Sequence, residues 1–322
     1  MSFLRSLLKQ AGRRKVAAMR RDYELQPAPE FVFERRPIVR RCVDRRPGIS
    51  EIDAHGSGAI LVARNQLPYR LTRHEEFVVP LDEAPTLTIT SDPYNSVAVL
   101  GSSGRDWAIS FCAQGEGESE AEAHQRLQQL SLSAAGGRLA LTAPGLYEGS
   151  QRRGDLVVEG PIDGGVVIHC TYTPVEVRDM AGPVRVAATH ARASILDTTG
   201  QVDATAGVVD FAGSCGRVTL NAEAEINLKV TARRFEGTLL ASAQRCVRVL
   251  VPLGFATPIE AVVSHRADFV CRTEFASNVK QKRQGELYIF THGINNGARS
   301  GAVLHLRSEE ATVVIDGASG KQ

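Results

Sequence analysis

Between Val175 and Val230 the chain repeats short apolar–polar–apolar triplets: Val184-Arg185-Val186, Val202-Asp203-Ala204, Val209-Asp210-Phe211, Val218-Thr219-Leu220 and Ile226-Asn227-Leu228. Period-two alternation puts Val, Ile, Leu and Phe on one strand face and Arg, Asp, Thr and Asn on the other. Gly182, Gly200, Gly207, Gly213 and Gly216 separate the triplets. The leading apolar residues Val184, Ile195, Val202, Val209, Val218 and Ile226 follow one another at intervals of 11, 7, 7, 9 and 8. A quasi-period of strands this short predicts a coiled β-structure whose rungs bury themselves against their neighbours. Scarce aromatics (6% of residues) and plentiful glycine suit thin, closely stacked strands.

The pattern extends in both directions. Strands are expected at Glu76–Pro80, Thr86–Thr90, Val97–Leu100, Trp107–Cys112, Leu139–Leu141 and Val166–Tyr172. They resume at Cys246–Pro252, Ile259–Val263, Leu287–Phe290, Val303–Leu306 and Val313–Ile315. One internal helix interrupts them. Ser119 and Glu122 form a capping box, and Ala123, Leu127 and Leu130 an i, i+4, i+7 stripe that packs on a sheet. Asn296-Gly297 suits a tight hairpin.

Charge divides the chain. Residues 1–46 hold thirteen Lys/Arg against five acids, a net +8, while the remainder carries −6. Two parts follow: a basic extension, residues 1–46, and a β-repeat body, residues 47–322. Residues 2–21 are amphipathic, Arg-rich and acid-free, which is the pattern of a mitochondrial presequence. A helix lying on an anionic membrane and a tail with no address are the alternatives, and a cytoplasmic location goes with the last. The apolar run is too short for a secretory signal, and no stretch reaches the roughly 18 apolar residues of a membrane span.

Arginine pairs at Arg35/Arg36, Arg40/Arg41 and Arg45/Arg46 are the candidate contacts to an anionic partner, such as a ribonucleoprotein or an acidic protein. A solvated arm is the plainer reading, since a step of five matches neither a helical nor a strand face. Glu51, Asp53 and His55 would share a face if extended, but Gly56 and Gly58 beside them favour a loop over a metal site. The six cysteines are scattered singly along the chain, without zinc spacing, and are expected reduced and buried. No cofactor or metal motif is present.

Three features together resemble the adhesin-like family of unknown function DUF4097, across residues 76–318. They are Pro174-Val-Glu-Val followed by Pro183-Val-Arg-Val, the helix within Glu118–Leu130 flanked by Trp107–Cys112 and Gly137–Pro144, and Val247–Pro252 before Ile259-Glu260. The resemblance implies a β-helix-like or β-roll domain, found in bacteria and some eukaryotic mitochondria, with no catalytic residues to carry over. Many relatives carry a membrane anchor, and none is visible here. The expected fold is thus all-β and solenoid-like, with one internal helix.

The expected role is a non-enzymatic scaffold, or a subunit of a larger assembly docked in part by the basic arm. Two alternatives stand beside it. One is a carbohydrate-active or carbohydrate-binding protein, for which Asp197, Asp203 and Asp210 would have to stack as paired carboxylates. The other is a homo-oligomer or polymer built by stacking of open strand edges.

Overall fold

Alternation with period two, punctuated by glycine, produces strands throughout. The computed structural model describes residues 69–93, 95–143, 152–294, 303–310 and 312–317. The described chain is all-β, its strands forming one open sheet. It opens with β1 (Tyr69–Val79), β2 (Thr86–Ser91), β3 (Ser96–Ser102) and β4 (Trp107–Gly117). Helix α1 (Glu120–Gln128) precedes β5 (Ser131–Ala135), β6 (Arg138–Thr142), β7 (Arg152–Pro161), β8 (Gly165–Thr171) and β9 (Val175–Arg178). Three long strands follow: β10 (Val184–Leu196), β11 (Gln201–Gly213) and β12 (Cys215–Val230). The chain continues with β13 (Glu236–Ala243), β14 (Cys246–Val251), β15 (Ile259–Ser264) and β16 (Asp268–Arg272). It closes with β17 (Lys280–Gln284), β18 (Leu287–His292), β19 (Val303–Ser308) and β20 (Thr312–Gly317).

The pairing is mostly parallel and runs in two ladders. In the first, Val166, Val184, Val202, Val218 and Leu239 are successive partners. In the second, Val175, Ala193, Val209, Ile226 and Val247 are. One circuit of the chain therefore runs from Val184 to Val202 and the next from Val202 to Val218, each adding one strand to each ladder. The shorter intervals between successive triplets of the sequence are half-circuits. Strands β10, β11 and β12 each serve both ladders by bending midway, with register shifts at Ala188/Arg192 and Ala206/Val208. Inward residues of both ladders, such as Val186 and Leu220 from one and Ile195 and Leu228 from the other, join a single buried cluster.

The corners between the ladders need unusual backbone. Tyr172, Asp179, His190 and Asp197 all have φ between +51° and +56°, a region costly for residues with a Cβ. Hydrogen bonds to the next circuit offset that cost: Tyr172 N–H to Thr189 O (3.0 Å), Asp179 N–H to Leu196 O (3.1 Å) and Asp197 N–H to Ala212 O (2.8 Å). Another corner is a column of glycine. A Cβ on Gly182, Gly200, Gly216 or Gly237 would fall well inside 3 Å of backbone oxygen from the circuit before it, at Gly164, Gly182, Gly200 and Gly216 respectively. At the head of the column a Cβ on Gly164 would meet the ring of Trp107, which is fully buried and donates its Nε1–H to Ala84 O at 2.8 Å.

At both ends the chain doubles back. Strands β6 and β7 lie outside β2 and β3, which in turn pair with β8 and β9. At the far end β19 and β20 are inserted between β13/β14 and β15/β16, so the spatial order departs from the sequence order. Antiparallel strands then cover the ends: β5 on β6, β4 on β7 with β1 beyond it, and β18 on β15 with β17 beyond it. Every residue of the edge strand β17 is exposed, and it holds Lys280, Lys282 and Arg283, which discourages pairing with another chain.

Helix α1 follows the expected signal closely. Ser119 Oγ accepts from Glu122 N–H (3.2 Å), and Glu122 Oε2 accepts from Glu118 N–H (2.8 Å), one residue before the cap. Ala123 and Leu127 are buried. The helix backbone sits directly on Gly115 and Gly117 of β4, where a Cβ would clash with Ala123 and Leu127. Those two glycines serve close packing.

The glycine column sets a test. Gly200→Ala should destabilise the protein by about 1–3 kcal/mol, lowering Tm by roughly 2–10 °C. Gly104→Ala, where the nearest atom is a Ser102 hydroxyl at 3.2 Å, should change little. Thermal unfolding of both variants decides it, and equal Tm values would show that the column tolerates side chains.

Candidate functional site

The Arg35–Arg46 pairs, the 2–21 segment, the Glu51-Asp53-His55 group and the Asn296-Gly297 turn lie outside the described residues. The aspartates can be placed, and they do not stack. Asp203 belongs to the first ladder, between Arg185 and Thr219, with Arg185 Nε at 3.8 Å. Asp210 belongs to the second and is spent on a network. It accepts from Asn227 Nδ2 (2.8 Å) and Ser194 Oγ (3.4 Å) and faces Arg192 Nε at 3.1 Å. Asp197 occupies a corner. The physical reason is the half-circuit: residues six or seven apart go to opposite ladders, and stacking requires a whole circuit, as from Val184 to Val202.

An open polar cavity of about 380 Å³ lies on the outward face of the first ladder. Its centre is the cross-strand pair Thr90 and His169, flanked in register by Ala140 on β6 and Ala187 on β10. Two alanines at outward positions leave the depression that longer side chains would fill. Thr142, Thr171 and Thr189 complete the rim, the last two adjacent across β8 and β10.

The wall at Ser91 and Asp92 is fixed by buried Asn95. Its Nδ2 donates to Ser91 Oγ (3.1 Å) and Asp92 O (3.0 Å), and its Oδ1 accepts from Gly154 N–H (3.0 Å). Thr173 Oγ1 also donates to Asp92 O (2.9 Å), and the Asp92 carboxylate accepts from Ala143 N–H (2.8 Å). A wall satisfied this completely holds its shape.

Next to Thr171 and Thr189 the corner carries an aromatic pair. The Tyr172 and His190 rings are 5.2 Å apart at an interplanar angle of 33°, and Tyr172 is 47% exposed. His190 Nδ1 reaches Glu223 Oε2 at 2.8 Å, two circuits away. The intervening circuit has Gly207 at the bend, where a Cβ would come within about 3.0–3.2 Å of Ala191 and His190 backbone. The sequence shows no aromatic platform inside the repeat. Tyr172 lies just ahead of it, one circuit before His190, a signal visible only once the circuit length is known.

The chemistry available at the cavity is hydrogen bonding. Cys170 lines it, yet burial pushes its thiol up to about 12, far from the thiolate a nucleophile needs. Among the described residues no group of three His, Cys, Asp or Glu is placed to hold a metal ion, and no Lys or Arg lines the cavity. Of the described cysteines, Cys170, Cys215, Cys246 and Cys271 carry free thiols, whereas Cys112 is disulfide-bonded, against the expectation that all are reduced.

No family model matches the chain, and no curated protein matches it. Among solved structures it is similar to one described as a "putative cell adhesion protein" from Clostridium sporogenes. That match has 9% identity and a TM-score of 0.33, over 77% of this chain and all of that one. It is also similar to a "putative adhesin" from Bacteroides fragilis, at 10% identity over 78% of this chain and 98% of that one, with a TM-score of 0.24. A third, from Parabacteroides merdae, shares 8% identity over 76% and 96% of the two chains, with a TM-score of 0.28.

The buried thiol gives a direct check. In the native protein at pH 8, iodoacetamide should leave Cys170 unmodified, and unfolding should expose it to rapid alkylation, both read by peptide mass. Labelling at equal rates in both states would contradict the burial.

Proposed function

We propose that this chain is a non-enzymatic interaction protein of the adhesin-like family, its two ladders forming a β-solenoid that serves as a rigid scaffold within a larger assembly. The register carries this reading. Every circuit from β8 to β14 keeps the same two-ladder pairing, which gives a stiff surface suited to repeated contacts. Several of its outward charges are paired within the surface: Arg185 with Asp203, Arg192 with Asp210 and Arg272 with Asp316. Such a face is solvated rather than aimed at a reacting group. Among the described residues, the antiparallel end strands and the charged β17 edge weigh against end-to-end polymerisation.

In this proposal residues 1–46 are a separate basic arm, with Arg35, Arg36, Arg40, Arg41, Arg45 and Arg46 meeting an anionic partner. Within it, the segment Met1–Arg21 acts as a mitochondrial import sequence. Carbohydrate binding is a second reading, favoured by the polar cavity beside Tyr172.

Native sedimentation of the tagged protein in a gentle lysate tests the scaffold role. The full chain should run with a heavy particle, and removal of Met1–Arg46 should release it; light migration of both forms defeats the assembly idea. Separately, a reporter fused to Met1–Arg21 should enter mitochondria, and a diffuse cytosolic signal rejects the import reading.

A further inference from the structure

We propose that the open edge of β16 takes up an extended, acid-flanked apolar segment of a partner protein, which adds to the sheet as one further strand. This rests on the interaction-protein reading above and assigns it one contact. The site arises because the two ladders end unequally.

Strands β15 and β16 occupy the same rung, since β19 pairs with β15 and β20 with β16. Beyond that rung the first ladder continues through β18 and β17. In the second ladder, among the described residues, β16 pairs with β20 alone. Burial reflects the difference. Ile259, Ala261 and Val263 of β15, which has a neighbour on each side, are 2%, 0% and 1% exposed. Phe269, Val270 and Cys271 of β16 are only half-buried, so water reaches this strand on both faces.

Register gives the edge an apolar floor. Phe269 and Cys271 lie beside buried Val313 and Ile315 and face inward with them. From the first ladder Tyr288 and Phe290 face inward too, as partners of buried Val263 and Ala261. The Phe269 and Phe290 rings stack at 4.1 Å and 10°, and both remain half-buried. A strand laid along β16 would cover these side chains with its own apolar face while its backbone extends the ladder, the mode of β-augmentation.

Size and charge select the occupant. Strands β18 and β17 carry the first ladder two strand spacings past β16, roughly 10 Å. Two copies pairing edge to edge through β16 would stand one spacing apart, about 5 Å, and their hairpins would collide. A single strand fits beside the overhang. That overhang is cationic: β17 holds Lys280, Lys282 and Arg283 and no acid. Arg283, the partner of Tyr288, shares the inward face and lies 5.8 Å from the ring centroid. It spends one of its five N–H donors on Gly285 O, at 3.1 Å. Asp268 alternates with Phe269 and so lies on the outward face. An acidic residue flanking the apolar stretch can therefore reach a guanidinium.

The test uses full-chain protein and three short synthetic peptides. One alternates valine and threonine between flanking aspartates, the second has the same strand between lysines, and the third alternates glycine and serine between aspartates. Titration measures affinity, hydrogen exchange reads residues 268–272, and alkylation reads Cys271, whose thiol is free. The proposal expects the aspartate-flanked valine peptide to bind best, slowing both exchange and alkylation. Arg283→Glu, at an exposed position, should weaken it about three- to tenfold at unchanged Tm and favour the lysine-flanked strand instead. No binding, equal binding of all three, binding without protection of β16, or no effect of Arg283→Glu overturns the proposal. So does a β16 already protected before peptide is added. Protection independent of protein concentration means that the chain covers its own edge, and protection rising with concentration means that a second copy does. Native sedimentation keeps the two readings apart: a protein that binds no peptide yet runs with a heavy particle loses this site and keeps the scaffold role.

Discussion

Successive circuits of this chain touch backbone to backbone along the column Gly164, Gly182, Gly200, Gly216 and Gly237, where no side chain fits between one glycine and the carbonyl beneath it. This contact sets how closely the circuits stack at that corner, and hence where each strand of both ladders finds its partner. With the corner held, Val184, Val202, Val218 and Leu239 fall into line, and so do Ala193, Val209, Ile226 and Val247. The core is then a set of small branched residues in register, which suits a thin body with few aromatics.

Other turns are held by different means. Tyr172, Asp179, His190 and Asp197 adopt left-handed backbone and keep their side chains, and the N–H groups of Tyr172, Asp179 and Asp197 reach carbonyls of the next circuit. Side chains that could not exist at the glycine corner can be displayed here. The Tyr172–His190 pair and its link to Glu223 are products of that freedom, and Gly207 is the gap that lets His190 span a circuit.

Much of the fold was legible because alternation and glycine punctuation are local. The triplets mark real strands, and Ser119, Glu122, Ala123 and Leu127 mark the helix as built. What alternation does not encode is which ladder a strand joins. Val184 and Ile195 look alike in sequence, yet they belong to different ladders, so spacing alone puts Asp203 and Asp210 in a shared stack that the register denies them. The doubling back of β6/β7 and β19/β20 was equally hidden, since a parallel strand reads the same whichever neighbour it takes. The cavity depends on Thr90, Ala140, His169 and Ala187, residues distant in the chain that only the register unites.

The insertion of β19 and β20 carries a temporal consequence. Strand β15 is paired with β18 on one side and β19 on the other, and β16 with β20 alone among the described strands. During synthesis, residues 259–292 emerge before the strands that join them to the ladders exist. They must wait as a separate hairpin-like block until residues 303–317 leave the ribosome and slide between them and β13/β14. Residues 303–317 are therefore the keystone of that end of the ladders, and folding there is gated by their emergence.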